Sequence, residues 1–272
     1  MSAYGKPIRL RRILRPGRGT VVVAFDHPLV LGPIPGTEDP AAKIRQFIEA
    51  GADAILLNLG ALRYCAECSE TSAAMPGFIA RLDWTTAFDQ AQKASPLLRS
   101  CLVGRPEDAL RLGADAVITF LVVGTGDREF ERNEVLRTAK VARECERLGV
   151  PLIVESLARG SKVDNPTDPK WLKLHTRMAI ELGADVIKTE YAGDPESMRS
   201  VVNECAVPIL VLGGGRTGSD EDILNTVRGI VQSGAAGVFF GRNIFQAENM
   251  PQFLHRVRSV LEGHEPRRGR HL

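Results

Sequence analysis

The architecture of this chain is most readily inferred from the segment Glu181-Leu182-Gly183-Ala184-Asp185-Val186-Ile187-Lys188-Thr189-Glu190-Tyr191-Ala192-Gly193-Asp194-Pro195, which ends a helix, runs through a strand and opens a loop. Similar segments begin at Glu49, at Arg111 and, more loosely, at Gln232. In each of them a glycine caps a helix and a strand follows at once. Such helix–glycine–strand junctions, with helical patterns between the strands, indicate parallel βα units.

Eight strands can be recognised along the 272 residues, and they span 20–26, 54–58, 81–85, 116–122, 152–156, 186–190, 209–213 and 237–240. Eight βα units in a chain of this length predict an α/β fold that consists of a single (β/α)8 TIM barrel. A doubly wound open sheet is the alternative. We expect a basic N-terminal arm at 1–19, the barrel at 20–263 and a flexible tail at 264–272.

The N-terminal arm is basic but also contains apolar residues. The two sets alternate along the arm and consist of Lys6, Arg9, Arg11, Arg12, Arg15 and Arg18, and of Ile8, Leu10, Ile13 and Leu14. A basic arm can bind nucleic acid, but interleaved apolar residues favour a short element that packs on the main domain or on a neighbouring subunit. We therefore expect packing, and no nucleic-acid partner.

The composition is that of an ordinary globular protein, with 44% hydrophobic and 25% charged residues and a net charge of +2. The longest apolar run, at 116–123, is too short to cross a bilayer, and the N-terminus lacks the apolar core of a signal peptide. Five cysteines, an odd number in a chain too large to need disulfides, fit a reducing compartment. We therefore expect a cytoplasmic protein without a membrane partner.

Cys65-Ala66-Glu67-Cys68 has the spacing of a redox pair or of half a zinc site. A structural zinc site needs four ligands, and the other cysteines are scattered singly at Cys101, Cys145 and Cys205. We therefore expect no bound metal.

Lys188 lies inside the predicted strand 186–190, near its carboxyl end, where barrel and open α/β enzymes keep their active sites. Taking a lysine out of water disfavours the ammonium form and frees an amine that can form a Schiff base. The alternative is structural. Glu190 lies two residues on, on the same face of the strand, and an ion pair would satisfy both side chains.

Three further ionisable residues are predicted at the same end of the barrel. Asp26 ends the first strand and His27 directly follows it, and Glu155 lies near the end of the fifth. By strand alternation, Asp26, Glu155 and Lys188 would all point into the lumen of a closed barrel. Each of them alone is more typical of a structural residue, whereas the group together favours catalysis.

Two glycine-rich loops follow the last two predicted strands. Gly214 and Gly215 lie after the seventh strand, and Gly241 and Arg242 follow the eighth. Glycines let backbone N–H groups approach an anion closely, and barrel enzymes commonly build a phosphate site from these two loops. We therefore expect these four residues to bind the phosphate of a small-molecule substrate, with Arg216 as a further source of charge.

Several motifs are familiar in combination: Ala24-Phe25-Asp26-His27, Val186-Ile187-Lys188, Tyr191-Ala192-Gly193-Asp194-Pro195, Gly213-Gly214-Gly215 and Gly241-Arg242-Asn243-Ile244-Phe245-Gln246. Together they resemble the archaeal-type class I fructose-bisphosphate aldolase superfamily, which includes the autoinducer-2 pathway thiolase and the aldol-type synthase of early aromatic amino acid biosynthesis. The resemblance implies a TIM barrel, a Schiff-base lysine at Lys188, an acidic partner at Asp26 and a phosphate site on the two glycine loops. It also implies a homo-oligomer.

One position departs from the family pattern. Sugar-phosphate aldolases of this type carry a tyrosine general acid/base in a Ser-Tyr-Pro-Arg-Gly segment, and here Ser156-Leu157-Ala158-Arg159-Gly160 has leucine instead. A leucine cannot transfer a proton, which favours the thiolase-like branch or an unassigned aldolase, with His27, Glu155 or water in that role. We expect a Schiff-base lyase or related acyltransferase that acts, without a cofactor, on a phosphorylated keto or hydroxy compound. The alternative is a phosphate-binding barrel that has lost catalysis.

Overall fold

The computed structural model describes residues 4–15, 17–69, 75–86 and 99–263. The strands are β1 Thr20–Ala24, β2 Ala54–Asn58, β3 Gly77–Arg81, β4 Asp83–Thr85, β5 Ser100–Leu102, β6 Ala116–Val123, β7 Leu152–Ala158, β8 Val186–Thr189, β9 Ile209–Leu212 and β10 Gly237–Phe240. The helices are α1 Gly5–Ile13, α2 Pro28–Leu31, α3 Pro40–Glu49, α4 Leu59–Ser69, α5 Pro106–Arg111, α6 Arg128–Leu148, α7 Pro169–Glu181, α8 Pro195–Glu204, α9 Asp220–Ser233, α10 Arg242–Phe245 and α11 Met250–Glu262. None of the helices described is long and apolar enough to cross a membrane. The predicted tail at 264–272 lies outside the described residues.

Eight of the strands close into a parallel barrel in the order β1-β10-β9-β8-β7-β6-β3-β2. The barrel closes where Thr20 of β1 pairs with Gly237 of β10. At this pair a Cβ on Gly237 would lie 2.1 Å from the carbonyl oxygen of Thr20, and φ of the glycine is +150°, so a larger residue would not fit. Closure confirms the predicted TIM barrel and rules out the open doubly wound sheet.

The third barrel strand is Gly77–Arg81, and the predicted position at 81–85 was wrong. β3 pairs with β2 on one side and with β6 on the other. Asp83–Thr85 instead forms a separate antiparallel pair with Ser100–Leu102. The strand pattern gave no reason to place a fully buried arginine at the end of a barrel strand. Arg81 is tolerated there because carboxylates surround its guanidinium.

Alternation along the strands divides the interior into two apolar layers. Val21 and Val23 of β1 point outward and pack in the large core between the barrel and its helices. Val22 and Ala24 point into the lumen, where they pack with residues such as Phe239. Towards the carboxyl ends of the strands the apolar lumen gives way to ionisable side chains, which form the site described below.

The N-terminal arm closes the amino end of the barrel. Ile13 of α1 is fully buried and packs with the lumen layer. Three basic residues of the arm pair with the aspartates of the helix–glycine–strand repeats: Lys6 with Asp185 at 3.0 Å, Arg12 with Asp115 at 2.9 Å, and Arg15 with Asp53 at 3.2 Å. The arm is therefore a packed element, and these three charges are directed at the barrel.

The same three aspartates also link neighbouring strands. A carboxylate oxygen of Asp53 accepts the N–H of Val21 at 2.9 Å, and one of Asp185 accepts the N–H of Leu152 at 2.8 Å. Asp115 does the same for the N–H of Phe78 at 3.0 Å. The repeated Gly-Ala-Asp pattern therefore satisfies backbone donors at the start of strands as well as holding the arm.

Candidate active site

A cavity of about 540 Å³ opens at the carboxyl ends of the barrel strands. Its wall contains the four residues that the sequence predicted to be catalytic, Lys188, Asp26, His27 and Glu155, and four of those predicted to bind phosphate, Gly214, Gly215, Gly241 and Arg242, but not Arg216. Parallel strands place their carboxyl ends at one rim, which explains how residues so distant in sequence reach one site. The wall also contains Arg81, which the sequence analysis did not consider, and Leu157, Arg159 and Glu190, which it considered only in the family motif or as the alternative partner of Lys188.

Lys188 on β8 and Glu155 on β7 are partners in the strand register. The Nζ of Lys188 lies 2.8 Å from Oε1 of Glu155, and both side chains are buried. Nζ also lies 4.6 Å from the centre of the Phe239 ring. The alternative pairing with Glu190 is wrong, because that carboxylate bonds to Arg159. Lys188 therefore has a carboxylate within hydrogen-bond distance and an open cavity beside it.

Arg81 is the central residue of the site that the sequence prediction missed. Its guanidinium donates to Asp26 at 2.9 Å and to Glu155, and it approaches Asp83 at 3.4 Å. The face of the guanidinium lies 3.8 Å from the centre of the Phe120 ring. Arg81 therefore ties together the two predicted catalytic carboxylates. The correct register of β3 would have revealed it, since that register ends the strand on Arg81.

The two carboxyl groups are ionised in this setting. Burial would raise the pKa of Asp26, but the positive charges of Arg81 and Lys188 outweigh it and lower the pKa to about 2. Burial also opposes ionisation of Glu155, yet Lys188 and Arg81 hold its pKa below the usual value. The group beside the lysine is thus a carboxylate that can accept a proton.

His27 follows Asp26 and begins the short helix α2. Its Nδ1 is 3.7 Å from Oδ1 of Asp26, and among the described residues this buried nitrogen has no hydrogen-bond partner. Burial keeps the pKa of His27 below its usual value, helped by the charges of Lys188 and Arg242 against that of Asp26. The imidazole is therefore neutral near pH 7, so one ring nitrogen can donate a hydrogen bond and the other can accept a proton.

The loops after β9 and β10 meet at the cavity wall. Gly241 lies so close to His27 that a Cβ would be 2.3 Å from the ring carbon Cε1. Gly215 lies beside the guanidinium of Arg242, because a Cβ at this position would be in ordinary contact with Nη1, at 3.6 Å. The Nε of Arg242 is buried and lacks a hydrogen-bond partner within the described part of the chain. This is a concave site with a cation and a glycine-lined backbone.

Arg216, the other arginine considered for this site, is engaged elsewhere. It donates to the carbonyl oxygen of Asn243 at 2.6 Å and pairs with Asp220. It is also not part of the cavity wall. Arg216 therefore braces the loop rather than offering its charge to a ligand.

Leu157 lies two residues beyond Glu155 on the same face of β7 and is only 1% exposed. It packs with Phe120, Val122 and Phe130. This wall of the cavity is apolar at the position where the family pattern places a phenol. A proton needed there must come from an ionisable neighbour or from water.

The Cys65-Ala66-Glu67-Cys68 motif lies on α4 and neither cysteine lines the cavity. Burial raises the pKa of the Cys65 thiol to about 12, and no disulfide joins the two cysteines. Over residues 4–15, 17–69, 75–86 and 99–263, no cluster of three or more His, Cys, Asp or Glu side chains could hold a metal ion. The motif therefore carries no evident chemistry.

Comparison with known proteins agrees with this geometry. Residues 20–247 match the DeoC/LacD family of aldolases. The chain is 38% identical to 2-amino-3,7-dideoxy-D-threo-hept-6-ulosonate synthase of Halobacterium salinarum, over 90% of this chain and 87% of the relative. It is 32% identical to class 1 fructose-bisphosphate aldolase of Thermoproteus tenax, over 93% of each chain.

A solved structure is also similar. An archaeal fructose-1,6-bisphosphate aldolase, with its catalytic lysine covalently bound to the carbinolamine intermediate of the substrate, matches with a TM-score of 0.81 at 29% identity, over 94% of this chain and 99% of that one. The predicted resemblance and the prediction of an aldolase-type enzyme are confirmed. The chain belongs to the DeoC/LacD aldolase family.

Proposed function

We propose that this aldolase-type enzyme makes and breaks a carbon–carbon bond of a phosphorylated keto compound through a Schiff base on Lys188. The observation that supports this most strongly is the buried pair in which Nζ of Lys188 lies 2.8 Å from Glu155. The pair lines a cavity at the catalytic end of a TIM barrel, where a substrate ketone can reach the amine.

Cleavage begins when Lys188 passes a proton to Glu155 and its neutral amine attacks the ketone carbon. Glu155 returns this proton to the hydroxyl group of the carbinolamine, which leaves as water and gives an iminium ion. A base takes the proton of the β-hydroxyl group, the carbon–carbon bond breaks, and its electron pair moves onto the iminium to give an enamine. The aldehyde leaves, the enamine takes up a proton, and water releases the ketone and restores the lysine.

Glu155 is the proposed proton-transfer group. It is the carboxylate next to Nζ, and the cations around it hold it in the ionised state that a base requires. Asp26, tied to the same arginine, is proposed to hold Glu155 in place through Arg81. Neutral His27, beside the loop of Gly241, is proposed to bind the β-hydroxyl group of the substrate and to accept its proton.

The phosphate is proposed to lie on Gly214, Gly215, Gly241 and Arg242. The support is the buried Nε of Arg242, which no described group satisfies, and the position of the three glycines in the same cavity wall. The relative from Thermoproteus tenax, whose name specifies fructose bisphosphate, is consistent with a phosphorylated ketone as substrate.

We also infer a cytoplasmic location and a homo-oligomer. All five cysteines of the chain are without a disulfide, as a reducing compartment would give.

Leu136 on α6 and Leu174 on α7 are 51% and 47% exposed on the outside of the barrel, and a second copy could cover them. Light scattering during size-exclusion chromatography tests the assembly, and a monomer at micromolar concentration would contradict it.

Borohydride trapping tests the proposed chemistry. Dihydroxyacetone phosphate with sodium borohydride should inactivate the wild-type enzyme and add one reduced ketone per chain. Lys188→Met should not react, whereas Lys173→Met, which removes a surface lysine paired with Glu204, should react normally. Binding of the phosphate ligand without trapping would instead support the barrel that has lost catalysis.

A further inference from the structure

Four cationic side chains line the cavity: Arg81, Arg159, Lys188 and Arg242. Three of them are in ion pairs. Arg81 pairs with Asp26 and Glu155, Arg159 pairs with Glu190, and Lys188 pairs with Glu155. Arg242 has no carboxylate within ion-pair distance in the part of the chain that the structure describes. Since His27 is neutral, the cavity offers one unpaired positive charge.

The pair of Arg159 and Glu190 lies at the rim. Two N–H groups of the guanidinium donate to the two oxygens of the carboxylate, at 2.8 and 2.7 Å. Such a two-bond pair is strong and directional, so the guanidinium charge is cancelled where it stands. The side chains are 28% and 14% exposed, which places the pair where a substrate would pass.

The strand order decides which half of a substrate meets this pair. β8, which carries Lys188, has β9 on one side and β7 on the other. A phosphate on the loops after β9 and β10 therefore directs the rest of the substrate towards β7, the strand that leads into Arg159. Beyond the reacting carbon, this second half is the part that leaves as the aldehyde.

We propose that the substrate carries one phosphate, on its ketone half, and that its aldehyde half is not phosphorylated. This inference rests on the proposed function, whose phosphate site and lysine it uses. A second phosphate at the rim would face the carboxylate of Glu190 and find the guanidinium of Arg159 already neutralised. Glu190 therefore selects substrates by repelling the wrong one.

The test compares fructose 1-phosphate with fructose 1,6-bisphosphate, which differ only in a phosphate on the aldehyde half. Binding is measured by titration calorimetry in the Lys188→Met variant, so that covalent chemistry plays no part. We expect the monophosphate to bind about tenfold more tightly. Adding Glu190→Gln should cancel or reverse this preference, because it exposes the charge of Arg159. Adding Arg159→Met should widen it, because Glu190 then lacks its counter-charge.

Equal affinity for the two ligands in the Lys188→Met background would overturn the inference, as would tighter binding of the bisphosphate. Undetectable binding of the monophosphate, or a preference that Glu190→Gln leaves unchanged, would also overturn it. Trapping of the monophosphate by borohydride in the wild-type enzyme is read separately. Its absence would count against the lysine chemistry, while the calorimetric preference would still decide the inference.

Discussion

Replacing Arg81 with methionine should leave one buried carboxylate without a cation at ion-pair distance. Of the three carboxylates that Arg81 contacts, Glu155 keeps another cation at 2.8 Å and Asp83 keeps one at 3.2 Å. Asp26 keeps no cation at ion-pair distance among the described residues, because the ring of His27, at 3.7 Å, is neutral and Lys188 acts on the carboxylate from farther away. Removing one partner of a buried ion pair costs about 3 to 5 kcal/mol. We therefore expect Arg81→Met to lower the free energy of unfolding by about that amount. The loss is that of one broken ion pair and not of three, because two of the three carboxylates keep another cation.

Urea unfolding measures this loss, and its dependence on pH identifies the cause. In the variant, burial raises the pKa of Asp26, so the penalty is complete above that pKa and shrinks as the pH falls and the carboxyl takes up a proton. The double variant Arg81→Met/Asp26→Asn should recover much of the stability at neutral pH, because it removes the unpaired charge. A loss below about 1 kcal/mol, or a loss that neither low pH nor the second substitution relieves, would refute the reasoning.

Three further predictions concern the same cavity. The low pKa of Asp26, about 2 against 3.8 for an unperturbed aspartate, adds on the order of 2 kcal/mol of stability that is present above pH 4 and lost towards pH 2. Urea unfolding of wild type and Asp26→Asn should converge by about that amount as the pH falls, and a constant difference would contradict it. Arg242→Ala should weaken binding of dihydroxyacetone phosphate by about 1.5 to 3 kcal/mol but hardly affect dihydroxyacetone, by calorimetry; equal losses would make Arg242 structural. Leu157→Tyr should raise aldol cleavage of a phosphorylated ketose, and an unchanged kcat would show that the enzyme does not need a phenol.

Much of the site could be inferred from the sequence because strand alternation is a local property. The residues just before Lys188 and Glu155 fix which faces of their strands point into the lumen, and closure of the barrel then brings the two side chains together. The glycines at 214, 215 and 241 were likewise informative, since the loops after the last two barrel strands are adjacent in any TIM barrel.

The features that could not be predicted from the sequence depend on contacts between distant residues. Arg81 is acceptable at the end of β3 only because Asp26 and Glu155 converge on it from other strands, and no local pattern encodes that convergence. The choice of Glu155 over Glu190 as the partner of Lys188 also depends on a distant residue, because Arg159 occupies Glu190. The partners of an ion pair between strands depend on the tertiary structure, whereas the alternation of side chains along a strand can be read from the local sequence.

The central claim, that Lys188 is the nucleophile, is tested most directly by locating the borohydride-reduced adduct of dihydroxyacetone phosphate. Trypsin cleaves after lysine and arginine, so the unmodified chain yields the peptides 178–188 and 189–199. A secondary amine on Lys188 blocks the cleavage between them. The account predicts that mass spectrometry finds the adduct on an uncut peptide 178–199, and an adduct on any other lysine, with peptide 178–188 intact, would contradict it.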